Sequence, residues 1–193
     1  MQKGQDNGFP SKLVTSKITD SVGEDKSKVS QGKYRSRLRL FLIVAALVVT
    51  LDQLIKLWID AKRPQIELLP GFLNLVYFKN TGAIFGLFHS HTELFIALGI
   101  AGLVIILVFL YYFPPATTVG MVSFALILGG AVGNLIDRIR LGYVIDFISI
   151  HVQELFRWPA FNIADAALTV GILTVIYYLY KSGVFRKAHE HNH

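Results

Sequence analysis

Charged and amide side chains stand inside or beside apolar runs at four places in this chain. Asp52 and Lys56 lie one helical turn apart within an apolar stretch. Asn134, Asp137 and Arg138 follow the run GGAVG, Asp146 sits inside VIDFI, and Asn162 precedes Asp165 by three residues in FNIAD. A charge within a membrane span costs about 2.5–3.5 kcal/mol on insertion scales, so each demands a reason. Plainer reasons exist for most of them. Asp52 and Lys56 at i, i+4 can pair with each other. Asn134, Asp137 and Arg138 line one face of a helix end, where a local Asp–Arg pair would suffice. Asn162 and Asp165 have the spacing of a capping box. Asp146, flanked by large apolar residues, has no surface role, and a dry setting would raise its pKa.

Elimination narrows the chemistry such groups could share. The chain has no cysteine, hence no thiol nucleophile, disulfide framework or cysteine zinc site. Beyond Ser36 only Ser90, Ser123, Ser149 and Ser182 remain, none in a GxSxG setting, and there is no HExxH. His89 and His91 form an HxH and His151 is isolated; both read more readily as loop residues than as a zinc site. Carboxyl groups are left. Two of them close together share a proton, because both cannot ionise easily. The ionised member can take a proton from an attacking water. The protonated member can polarise a carbonyl and then help an amine leave. Such hydrolysis needs no cofactor and no metal.

The elements that must position these groups are membrane spans. Hydrophobic residues make up 53% of the 193 and charged residues only 17%, against about 25% in soluble domains. Four apolar stretches, residues 38–59, 94–113, 119–136 and 163–180, approach the ~20 residues that a bilayer core requires. Pro114-Pro115 forces a tight turn between the second and third. The first is too far from the start, and lacks a small-residue cleavage site, to read as a cleavable signal peptide. Residues 1–33, polar and without periodicity, are expected to form a disordered cytoplasmic tail. Residues 34–182 form the membrane domain, and 183–193 a His-rich solvated tail.

Charge orients the spans. The net charge is +6, but nine of the 19 Lys and Arg precede residue 40, which favours a membrane over nucleic acid as the partner of that charge. Twelve basic residues fall on the side shared by both termini and six on the other, so both termini are expected in the cytoplasm. Asp52, Asn134, Asp137, Arg138, Asp146, Asn162 and Asp165 then all fall in the outer half, where a single cluster suggests one site. Of the outer segments, 66–78 reads as short strands or a hairpin lying on the membrane. Residues 143–158 are a strand or a surface helix, with Trp158 as an interfacial anchor.

The blocks DQLIK (52–56), NTGAIFG (80–86), GNLIDR (133–138), VIDF (144–147) and FNIAD (161–165) resemble, in order and spacing, those of the lipoprotein signal peptidases, or signal peptidase II. The likeness covers about residues 38–181. It implies a mainly α integral membrane protein of four transmembrane helices with a small β-rich extracytoplasmic cradle. It also implies a bacterial inner-membrane aspartic endopeptidase acting near the extracytoplasmic face. Its substrates would be prolipoproteins, cut just before a cysteine that carries diacylglycerol. By position in the motifs, Asp146 and Asp165 correspond to the catalytic pair. Asn134, Arg138 and Asn162 line the site, Asp137 supports it, Asn80 and Gly82 belong to the outer loop, and Asp52 and Lys56 brace the first helix. The resemblance implies inhibition by the cyclic peptide globomycin, and membrane lipids as surroundings. Ile84 and Ile55 depart from the family pattern, which has a small and a hydroxyl residue there, and a tail such as 1–33 is unusual.

Two rivals compete. A proton-coupled transporter would put polar groups near the midplane, yet the second span carries no charge and the cluster is off-centre. A scaffold with merely capped helix ends predicts that Asp146→Asn and Asp165→Asn behave as surface changes.

Overall fold

The computed structural model describes residues 11–82, 92–152 and 156–181, with side chains over 31–82, 92–151 and 158–181. The His-rich tail, Ile84, Gly86, His89 and His91 lie outside the described residues. The chain divides into two units, residues 1–39 and 40–193, and the site belongs wholly to the second.

Among the described residues, four helices are long and apolar enough to cross a membrane: α1 (Ser11–Lys62, by its stretch Gln31–Lys62), α2 (Thr92–Tyr112), α3 (Thr118–Leu141) and α4 (Ile163–Lys181). Their outward faces are apolar and exposed, as at Leu47, Ile105, Phe109 and Leu173, which suits a lipid solvent. α2 buries no residue at all, consistent with its unbroken apolar sequence. The third apolar helix runs past the expected end at 136 to Leu141 because the polar residues of its last turns find partners inside the protein. Among the described residues, α1 takes in residues 11–33 as well as the apolar run. A helix already nucleated in an apolar span extends at one hydrogen bond per residue, without a second nucleation cost.

Between α1 and α2, the Pro70-Gly71 turn joins β1 (Ile66–Leu69) to β2 (Leu73–Asn80), the hairpin expected there. Gly71 has φ of 69°, and its N–H donates to Glu67 Oε1 at 2.7 Å. After α3 comes β3 (Val144–Val152), so of the two readings of 143–158 the strand describes 144–152, with a two-residue β4 (Phe156–Arg157) at its far edge. The four strands run antiparallel in the order β1-β2-β3-β4. Ile145 and Phe147 of the sheet pack on Ile59 of α1, with Ile55, Tyr143 and Ile163 around them. A separate apolar cluster of Phe41, Ala45 and Ala125 lies elsewhere between α1 and α3.

Two joints deliver the polar residues to one place. Gly142, with φ of 80°, closes α3 by donating its N–H to the Arg138 carbonyl at 3.1 Å. β3 therefore starts two residues after the helix that carries Asn134 and Asp137. At the other joint, the Phe161 carbonyl accepts from the N–H groups of Phe147 (3.0 Å) and Ile148 (2.8 Å). That pairing pins the start of α4 to β3 beside Asp146.

Candidate active site

Asp146 lies on β3, fully buried. Its two oxygens each accept one amide hydrogen, Oδ2 from Asn80 Nδ2 at 2.8 Å and Oδ1 from Asn162 Nδ2 at 2.7 Å. Burial pushes its carboxyl up from 3.8 to about 7. The charge of Asp165 adds to the rise, while the two amide bonds and the charge of Lys56 oppose it.

Asp165 stands in the first turn of α4 and keeps some exposure. Its Oδ1 accepts from Asn134 Nδ2 at 2.7 Å and its Oδ2 from the Asn162 N–H at 3.2 Å. The Asp165 N–H donates in return to Asn162 Oδ1 at 2.9 Å. The capping box is therefore real. The Asn162 that caps α4 with its oxygen also grips Asp146 with its amide. One residue thus touches both carboxylates.

Beneath them lies a buried ionic group. Lys56 Nζ is 2.8 Å from Asp52 Oδ2, 3.0 Å from Asp137 Oδ2 and 3.0 Å from Asn134 Oδ1. The expected Asp52–Lys56 pair exists, but Lys56 also reaches α3. Asp52 Oδ1 accepts from the Ala164 N–H at 3.0 Å, one of the donors left free at a helix start. Asp137 takes the Ile145 N–H at 3.1 Å, which ties α3 to β3. Beside the charge of Arg138, which the plainer reading gave it, Asp137 thus has these longer-range partners. The Arg138 guanidinium lies over the Phe95 ring, 5.2 Å from its centroid, and its charge acts on Asp165, Asp146 and Asp137. Gly82 is buried and donates its N–H to Asn80 Oδ1 at 3.1 Å, orienting the amide that Asp146 uses.

Close helix contact makes this possible. A Cβ on Gly133 would stand 2.8 Å from Asp52 Oδ2, and one on Gly129 would stand 2.8 Å from Val48 Cβ. The GxxxG pattern therefore lets α3 press against α1 at the ionic group. Sequence reasoning missed Gln53, whose Nε2 reaches Asp137 Oδ1 (2.9 Å), the Gly133 carbonyl (3.1 Å) and Asp52 Oδ2 (3.3 Å). The signal was present: an amide in an apolar span, next to Asp52, needs partners as a charge does. Among the described residues, no group of three His, Cys, Asp or Glu could hold a metal ion.

Four membrane-length helices and a small sheet, joined around two acids that share one asparagine, define a class. It is that of polytopic membrane proteins with a buried acid-pair site at one end of the bundle. The family model described as signal peptidase (SPase) II matches residues 44–181. This chain belongs to that family, the lipoprotein signal peptidases. It is 41% identical over 142 residues to the lipoprotein signal peptidase of Moorella thermoacetica, covering 72% of this chain and 91% of that one. It is 42% identical over 150 residues to that of Thermodesulfovibrio yellowstonii, covering 75% and 93%. A solved bacterial membrane enzyme, obtained by the in meso method, matches with a TM-score of 0.65 at 33% identity, over 74% of this chain and 88% of its own.

Proposed function

We propose that this protein cleaves the signal peptide from prolipoproteins, just before a cysteine that carries diacylglycerol, with Asp146 and Asp165 as its catalytic pair. The observation that carries the reading is Asn162, whose side chain and main chain bond both carboxylates at once. Two acids held so closely, one of them deeply buried, share a single proton. The ionised carboxylate removes a proton from water as its oxygen attacks the scissile carbonyl. The protonated partner donates a hydrogen bond to that carbonyl oxygen as negative charge develops there. Collapse of the tetrahedral intermediate breaks the C–N bond, and a carboxyl proton goes to the departing amine of the lipidated cysteine.

The surrounding residues hold this geometry. Asn80 and Asn162 fix Asp146, Asn134 fixes Asp165, and Arg138 offsets the negative charge of the pair. Asp52, Lys56 and Asp137 set the helix ends on which these groups ride. A lipidated, helical substrate meets such a site within the bilayer, its acyl chains staying in lipid while the peptide reaches the end of the bundle. The charge asymmetry of the chain supports cytoplasmic termini and a site near the extracytoplasmic face of the cell membrane. Globomycin-type cyclic peptides would compete for the same cleft.

The test is cleavage in vitro. The purified protein, in detergent, should release the signal peptide from a diacylglyceryl prolipoprotein and leave the unlipidated precursor intact, and globomycin should block it. Equal cleavage of both precursors, or of neither, would refute the assignment.

A further inference from the structure

An extra residue in β2 decides which side chains face Asp146. Leu75 pairs with Ile148, but the next paired residues are Phe78 with Asp146, so β2 advances three residues while β3 advances two. Had the ladder continued without this bulge, Tyr77 would oppose Asp146 and Lys79 would oppose Val144, because a one-residue slip exchanges the two faces of a strand. With the bulge, Phe78 and Asn80 share the face of Asp146. Lys79 and Tyr77 turn to the other face. There Lys79 Nζ lies 4.7 Å from the centre of the Tyr143 ring, and the Tyr77 hydroxyl is 3.3 Å from that of Tyr143. The bulge sets Phe78 rather than Tyr77 opposite Asp146, and Asn80 rather than Lys79 opposite Val144.

That ring is not buried. Phe78 is 52% exposed, directly across the ladder from an aspartate that is 0% exposed. Opposed residues on antiparallel strands have Cβ atoms about 5 Å apart. Any group that hydrogen-bonds the Asp146 carboxyl therefore comes within reach of the ring. On the proteolytic reading above, on which this step rests, that group is the scissile carbonyl. The substituent nearest to it is the side chain of its own residue, the one that precedes the cut. The acyl carbons begin much further along the chain of bonds, beyond the amide nitrogen, the cysteine Cα and Cβ, the sulfur and the glyceryl ester.

We infer that Phe78 is a specificity-determining residue, whose ring walls the space that takes the side chain of the substrate residue preceding the cut. A wall of this kind discriminates by size, and its removal relaxes the discrimination.

The experiment uses the full chain in detergent micelles and two synthetic diacylglyceryl-cysteine peptides, identical except for Ala or Leu before the cut. The readout is the ratio of kcat/KM for the Leu peptide to that for the Ala peptide. Phe78→Ala should raise this ratio by about tenfold or more, tenfold being the low end of what an apolar pocket discriminates for one methylene. Phe78→Trp should lower it. Lys79→Ala, one residue on and facing away, should leave the ratio where it was. If the parent cuts at least one peptide and neither Phe78 variant moves the ratio by more than about twofold, this inference falls and the peptidase reading stands. A parent that cuts neither peptide overturns both.

Discussion

Replacing Lys56 by methionine tests the ionic group beneath the acids. The ammonium touches Asp52 at 2.8 Å, Asp137 at 3.0 Å and the Asn134 carbonyl oxygen at 3.0 Å, and only 2% of Lys56 is exposed. Methionine keeps the apolar stem but removes the charge, leaving two buried carboxylates facing each other with no cation between them. Breaking a buried ion pair by deleting one partner costs about 3–5 kcal/mol. For a chain of this length each kcal/mol lowers Tm by about 2–4 °C, so the predicted fall is about 6–20 °C. Unfolding of the purified protein, followed by tryptophan fluorescence in detergent, measures it. Neutralising the orphaned acids should restore stability: Lys56→Met combined with Asp52→Asn and Asp137→Asn should regain a substantial part of the loss. A single variant that melts within about 2 °C of the parent would refute the reasoning, as would a combined variant no more stable than the single one.

Three further outcomes follow from the geometry. Asp146 holds its proton to about pH 7 in the folded state but only to about 4 once unfolded. The folded state therefore binds more protons across that interval, and this contribution to stability, complete below pH 4, fades as pH rises through 7. The Tm of Asp146→Asn, measured relative to the parent, should accordingly increase from about pH 4 to about 7 and level off above; a flat difference would contradict a buried, proton-holding carboxyl. Gly133→Ala would bring a methyl group to within 2.8 Å of Asp52 Oδ2 and should cost about 1–3 kcal/mol of stability in a denaturation series. Gln53→Leu leaves Asp137 Oδ1 without the Gln53 donor and should cost about 1–3 kcal/mol, whereas a surface glutamine would show almost no change in the same assay.

The spans were legible because a bilayer demands long apolar runs and the chain contains four of them. Asp146 and Asp165 stood out for the same reason, as acids placed where lipid-compatible residues belong. Their meeting was not derivable from spacing alone. It depends on Phe161 pairing with β3, a main-chain contact that carries no side-chain signature. The strand identity of β3 was ambiguous because Val144, Ile145, Asp146 and Phe147 are all buried, which removes the alternation that marks a half-exposed strand. Asp137 next to Arg138 suggested a local pair, and the close approach allowed by Gly129 and Gly133 gave it Lys56 as well. The β2 bulge was invisible too: nothing in LNLVYFKN says that an extra residue stands opposite Phe147, and that residue reverses which face Lys79 takes.

The proposed mechanism requires Asp146 and Asp165 to act as a pair on one peptide bond. The most direct measurement is the single-turnover cleavage rate of a diacylglyceryl prolipoprotein by Asp146→Asn and by Asp165→Asn, each first shown by its melting curve to be folded. If they do, either substitution alone abolishes cleavage and the double variant is no worse. A folded single variant that still cut at a rate near the parent's would contradict it.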